Sequence, residues 1–170
     1  AQQLRFAEFP RNVRRTLEKY AIPPDLLEIE ITESVFADDT AGLAMGQLAA
    51  VGVRLALDDF GTGYSSLNYL RQYPINVVKI DRSFVQEISV NPESGALAAT
   101  IITMAHALGK EVVAEGVETE EQMNFLRERH CDLAQGFYLA HPQAVVSVTE
   151  MLQQRSDRQH FTVEAIRQLG

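Results

Sequence analysis

The chain has 170 residues, 46% of them hydrophobic and 22% charged. That length and balance describe one globular domain with a buried core, and they exclude disordered and low-complexity chains. A net charge of −8 makes the protein a poor candidate for wrapping a nucleic-acid polymer, although an anionic small ligand stays within reach if cations lie between it and the protein.

Residues 8–20 place Phe9, Val13, Leu17 and Tyr20 on one side of a helix and Arg11, Arg14, Arg15 and Glu18 on the other. The arginines read as a solvated face, and Pro23-Pro24 prevents continuation of the helix. A strand run at 26–32 follows, then a helix over about 38–51. A second strand run, 53–57, ends in Asp58-Asp59-Phe60-Gly61-Thr62-Gly63. A helix over 65–72 leads to a third strand at 77–80. Beyond Asn91-Pro92, a helix near 94–108 carries Leu97, Ile101, Ala105 and Leu108, with Gly109 as its cap. A strand at 112–114, a helix near 120–129, a short segment at 132–137 and helices near 143–154 and 157–168 complete the series. The methionines, Met45, Met104, Met123 and Met151, read as packing.

Cys131 is the only cysteine, so no intrachain disulfide forms, which fits a reducing compartment and a cytoplasmic location. No apolar run reaches the roughly 20 residues of a membrane span, and no leader-like segment opens the chain. The first residue is Ala1 rather than Met, so the chain reads as processed or as part of something longer.

Five strands alternating with helices imply a parallel sheet. An open doubly wound sheet and part of a (βα) barrel both fit that pattern, and the strand interiors choose between them. The period of two puts Leu27, Ile29 and Ile31 on one face and Glu28, Glu30 and Thr32 on the other. Val53, Leu55 and Leu57 oppose Arg54, Ala56 and Asp58; Val78 and Ile80 oppose Lys79 and Asp81; Glu115 shares a face with Val113. A sheet covered on both sides would bury these charges, at several kcal/mol for an unpaired ion. A barrel instead turns them inward, toward a site at the C-terminal mouth. The expected fold class is therefore α/β, a TIM-type (βα) barrel. Eight strands and about 250 residues are usual. The reading is thus of an N-terminally incomplete barrel, with residues 1–170 as the C-terminal portion of one domain and about three strand units before Ala1.

Glu30, Asp58, Asp59 and Glu115 bring four carboxylates to three strand ends, with Lys79 as the obvious cation. So many anions repel unless some are protonated or metal cations are present. A set without His or Cys suits hard ions such as Mg²⁺ or Mn²⁺. Adjacent aspartates suit two ions with a bridging carboxylate, an arrangement that recurs in phosphoester cleavage. Taken singly, each residue has a plain structural reading: a paired strand-end Glu, an Asp-Asp turn, a snorkelling Lys. Their coincidence at one end of consecutive strands favours a metal-dependent barrel enzyme acting on phosphate esters.

At these residues the sequence resembles the EAL-domain family of cyclic di-GMP phosphodiesterases. Leu27-Glu28-Ile29-Glu30-Ile31-Thr32-Glu33-Ser34 is similar to the family's fourth-strand motif. Leu57-Asp58-Asp59-Phe60-Gly61-Thr62-Gly63-Tyr64-Ser65-Ser66 resembles its fifth strand and loop 6. Val78-Lys79-Ile80-Asp81, Val113-Ala114-Glu115-Gly116-Val117-Glu118-Thr119 and Gln135-Gly136-Phe137-Tyr138 resemble the later strands. The resemblance implies hydrolysis of cyclic di-GMP to linear pGpG with two Mg²⁺ or Mn²⁺ ions. It makes Glu30, Asp58, Asp59 and Glu115 metal ligands, with Asp58 bridging. Lys79 would polarise or deprotonate the attacking water, Glu33 would hold loop 6, and Glu118 and Gln135 would support the site. It also implies a homodimer through loop 6 and the following helix, between Tyr64 and Tyr69.

The chain departs from the family pattern in lacking the Glu-Ala-Leu signature and the third-strand Asn, and in placing His141 where Arg is common. The 170 residues alone are therefore expected to be inactive or nearly so. The rival readings are a cyclic di-GMP sensor or scaffold module without catalysis, and a Schiff-base aldolase using Lys79. His106 and His130 read as structural.

Overall fold

The computed structural model describes residues 2–37, 41–62 and 67–156. The helix expected at 157–168, the start of the one expected at 38–51, and Tyr64 lie outside the described residues. Among the described residues, seven helices and five strands follow in the order α1 (Phe9–Tyr20), β1 (Glu28–Thr32), α2 (Ala41–Val51), β2 (Arg54–Phe60), α3 (Leu67–Gln72), β3 (Val77–Ile80), α4 (Arg82–Gln86), α5 (Pro92–Ala107), β4 (Glu111–Glu115), α6 (Glu120–Glu128), β5 (Leu133–Gln135) and α7 (Val145–Ser156). Short 3-10 turns at Gln2–Arg5, Pro24–Leu26 and Glu33–Ala37 join them. No helix among the described residues is long and apolar enough to cross a membrane.

All strand pairs are parallel, and the order in the sheet is the order in the chain, β1-β2-β3-β4-β5. A doubly wound sheet reverses its order at a switch point and carries helices on both faces. Among the described residues, the helices pack on one face. Ile31, Leu55, Leu57, Val78, Ile80, Val112 and Ala114 from the strands join Leu17, Met45, Leu48, Ile102 and Leu126 from the helices in one apolar cluster. The opposite face holds only a small cluster of strand residues, Ala56, Val77 and Val113, with Leu133 against it. The arrangement is that of a barrel wall, as the alternation of apolar and charged strand residues predicts.

The face opposite the helices is layered. At the N-terminal ends of the strands, Arg54 on β2 pairs with Glu28 on β1 at 3.4 Å and with Glu111 on β4. The apolar layer of Ala56, Val77, Val113 and Leu133 comes next. Above it stand Glu30, Asp58, Lys79 and Glu115. Stacked layers of inward-pointing side chains are the usual filling of a parallel barrel. The Arg54 pairings carry no local signal in the sequence, because the one to Glu111 joins residues 57 apart.

Several local expectations change. Tyr20 is exposed, its ring serving Lys19 at 4.9 Å rather than the core. The buried line of α5 is Ala98, Ile101, Ile102 and Ala105, which turns Leu97 outward. Met45 and Met123 are core residues, Met104 packs against the core and Met151 is exposed. Helix α4 was not predicted, since one short turn carries no periodicity. Its origin is Asp81, whose carboxylate accepts from the Ser83 amide at 3.0 Å as an N-cap. β2 runs to Phe60, past the expected end.

Cys131 is buried under β4 and β5, its thiol near the carbonyls of Val112 and Leu133. Burial pushes the thiol up to about 12, so almost no thiolate forms at neutral pH. We expect no reaction with a thiol-specific disulfide reagent in native buffer and one equivalent in denaturant; rapid native labelling would contradict this packing.

Candidate metal centre

The site is built by strand pairing. β1 and β2 pair Thr32 with Asp58, which brings Glu30, two residues earlier on the same face, beside Asp58. β3 and β4 pair Lys79 with Val113, and β4 and β5 pair Glu115 with Gln135. Between β2 and β3 the register breaks. Leu57 pairs with Val78 and Phe60 with Ile80, so Asp58 and Asp59 together oppose the single Lys79. This is a β-bulge, a device that re-aims side chains next to functional sites. Asp59 adopts φ 54°, the left-handed region that Asp tolerates better than most residues. A regular strand would send Asp59 into the helix layer; the bulge leaves it exposed near the mouth.

Glu30, Asp58 and Glu115 offer carboxylate oxygens that all lie within 4.8 Å of one another. At their centre is the ammonium of Lys79, 2.5 Å from Glu30 Oε1, 2.9 Å from Asp58 Oδ1 and 2.5 Å from Glu115 Oε1. The Lys79 side chain is only 7% exposed, whereas Glu30 at 54% forms the open side of the site. Burial works against the lysine's charge, but the hydrogen bonds it donates to Glu115, Glu30 and Asp58 outweigh that and hold the group protonated. Asp59 lies outside this trio. Slight desolvation of its carboxyl raises its pKa, and the charges of Asp58 and Asp81 add to that. Burial also acts on Asp81, yet the hydroxyl and amide of Ser83 hold its carboxyl below the usual range.

The other expected site residues are placed around this cluster. Glu33, in the turn after β1, accepts the Gly61 amide at 3.2 Å through Oε1 and so ties that turn to the end of β2. Gly61 has φ +101°, and a Cβ there would stand 2.9 Å from the Phe84 ring, so only glycine fits. In the same turn Phe36 stacks on Tyr69 and Tyr73, with centroids 4.5 and 5.2 Å apart. Tyr69 is thus packed against its own chain. Glu118 accepts from Gln86 Nε2 on α4 at 3.0 Å. Gln135 is exposed on β5 beside Glu115. His141 stacks on Phe137 at 4.4 Å, and His106 pairs with Asp132 at 2.8 Å.

The donor set is all oxygen, and a cation already sits at its focus in the form of the lysine ammonium. Both facts fit a site for a hard divalent ion. Two elements of the site were missed in the sequence: the bulge and the capping role of Asp81. The Asp-Asp pair at a strand end was the only available signal of the first.

The EAL domain pattern matches residues 1–142. The chain belongs to the EAL-domain family. It is 43% identical over 155 residues to the cyclic di-GMP phosphodiesterase NbdA of Pseudomonas aeruginosa, covering 89% of this chain and 20% of NbdA. The PaMucR phosphodiesterase, solved with c-di-GMP, superimposes with a TM-score of 0.82 at 38% identity, over 86% of this chain and 60% of that one. BlrP1 of Klebsiella pneumoniae, solved with manganese and cyclic di-GMP, gives 0.74 at 32% identity, over 80% and 35%. The chain spans about a fifth of the length of the first curated relatives it matches. EAL domains are TIM-barrel-like and depend on divalent metals, in keeping with the parallel wall and the acid trio.

Proposed function

We propose that the EAL domain to which this chain contributes hydrolyses one phosphodiester bond of cyclic di-GMP to give linear pGpG. The carrying observation is the convergence of Glu30, Asp58 and Glu115 on one cation at the C-terminal ends of adjacent parallel strands. The c-di-GMP complex of PaMucR, at 38% identity, supports the choice of substrate.

Glu30, Asp58 and Glu115 would hold Mg²⁺ or Mn²⁺, and Asp58 with the exposed Asp59 would hold a second ion. Bound there, such ions supply an activated water and neutralise phosphate charge. Lys79, as an ammonium, is a hydrogen-bond donor; it orients the water and steadies charge on the phosphate rather than removing a proton. Glu33 fixes the end of β2 through Gly61, and Glu118 and Gln135 support the rim. A homodimer through the segment between Tyr64 and Tyr69 would couple a second copy to this rim. The buried, lone Cys131 agrees with a cytoplasmic setting.

The test is turnover by the full-length protein in Mg²⁺, with pGpG resolved chromatographically. Glu115→Gln should lower kcat by on the order of 10²-fold or more, and a chelator should abolish activity. The 170 residues alone should show almost none, since β1 and β5 each leave one edge unpaired among the described residues. Unchanged turnover in Glu115→Gln would overturn the assignment. Cyclic di-GMP binding in Ca²⁺ without turnover in Mg²⁺ would identify a sensor instead.

A further inference from the structure

The feature that the hydrolytic reading leaves unexplained is where Lys79 sits. A residue that serves the substrate should point at it, yet this ammonium is consumed by three carboxylates of its own chain, at 2.5, 2.9 and 2.5 Å. A lysine ammonium has three donors, and each has a partner. The stem rests above the apolar layer of Ala56, Val77 and Val113, which offers a charge nowhere to go but toward the mouth. Three acids whose oxygens lie within 4.8 Å of one another enclose room for one cation at their focus.

We infer that Lys79 is an exchangeable internal cation: its ammonium closes the Glu30, Asp58 and Glu115 cluster when no metal is bound, and an entering divalent ion displaces it. Metal occupancy and release of Lys79 are then one event. The inference rests on reading the trio as a divalent-metal site. It follows from electrostatics. Without a cation the three carboxylates repel, so the lysine stabilises the metal-free fold. With a divalent ion at the focus, the ammonium is repelled by that ion and its partners are taken. The four-carbon stem is flexible enough to swing outward without backbone movement. The displaced ammonium is then free to face a phosphate group at the mouth. Binding of metal thus arms the lysine, and metal-free protein holds it idle.

Two measurements on the full-length protein test this. Mn²⁺ affinity is read from the electron paramagnetic resonance of free Mn²⁺, for wild type, Lys79→Met and Lys79→Arg. Lys79→Met is expected to bind Mn²⁺ at least tenfold more tightly than wild type. It should melt several degrees lower in a chelator and gain more in melting temperature from Mn²⁺. Lys79→Arg, which keeps the charge, should stay within about threefold of wild type. The second measurement covers a Lys79→Met protein that fails to fold. Reductive methylation of wild-type lysines, mapped by mass spectrometry, should modify Lys79 at least fivefold faster with Mn²⁺ than with chelator. Equal Mn²⁺ affinity in wild type and Lys79→Met, or labelling indifferent to Mn²⁺, overturns the exchange alone and leaves the metal site standing. Failure of every form to bind Mn²⁺ overturns both readings.

Discussion

Asp58→Asn in the full-length protein is expected to lower cyclic di-GMP hydrolysis by on the order of 10³-fold while leaving the fold intact. Asp58 is the central member of the trio. It pairs in register with Thr32 of β1, accepts from Lys79 at 2.9 Å and opens the bulge that exposes Asp59. Asparagine keeps its size and one acceptor oxygen but removes the negative charge. A hard cation would then lose a charged oxygen ligand at the proposed site. Stability should move little, because the change also relieves repulsion with Glu30 and Glu115. The check is kcat beside the melting temperature in chelator. Turnover within tenfold of wild type would remove Asp58 from the chemistry, whereas a collapsed melting temperature would make its role structural.

Gly136→Ala is expected to be among the most damaging single changes, costing on the order of 4 kcal/mol or preventing folding. A Cβ at position 136 would overlap the backbone nitrogen, carbon and oxygen of Val117. Those atoms cannot rotate aside. Val117 donates to the Gln135 carbonyl at 3.0 Å and accepts from the Tyr138 amide at 3.0 Å, which locks the segments together. Gly116, with φ +70°, turns the chain into this junction. The crossing lies just beyond Glu115 and Gln135, so strain there also reaches the site. Gly46 provides the control: it is helical, exposed and has nothing within 4 Å of a built Cβ. Gly46→Ala should raise stability by roughly 0.5–1 kcal/mol. Urea unfolding of both variants checks the pair, and a Gly136→Ala protein as stable as wild type would contradict the close approach.

Much of the site was legible because its code is local. Glu30 between Ile29 and Ile31, and Lys79 between Val78 and Ile80, announce by alternation which face carries charge. The acids that meet at Lys79 were therefore identified before their distances were known. Less was legible where the outcome depends on pairing between remote segments. Leu97 and Tyr20 fit an apolar helix face in sequence, yet the sheet chose a different face of α5 and left Tyr20 in solvent. Arg54 read simply as an inward charge; that it joins Glu28 and Glu111 became visible only when β2 lay between their strands.

The order of residues by itself determined the alternating strands, the helix-covered face and the identity of the acids and the lysine, since side-chain direction in a strand repeats every two residues. Tertiary structure alone decided the bulge that turns Asp59 outward, the reach of Glu33 back to Gly61 and the capture of Lys79 by three carboxylates. These depend on inter-strand register and on charges meeting across long loops, quantities that no local period encodes.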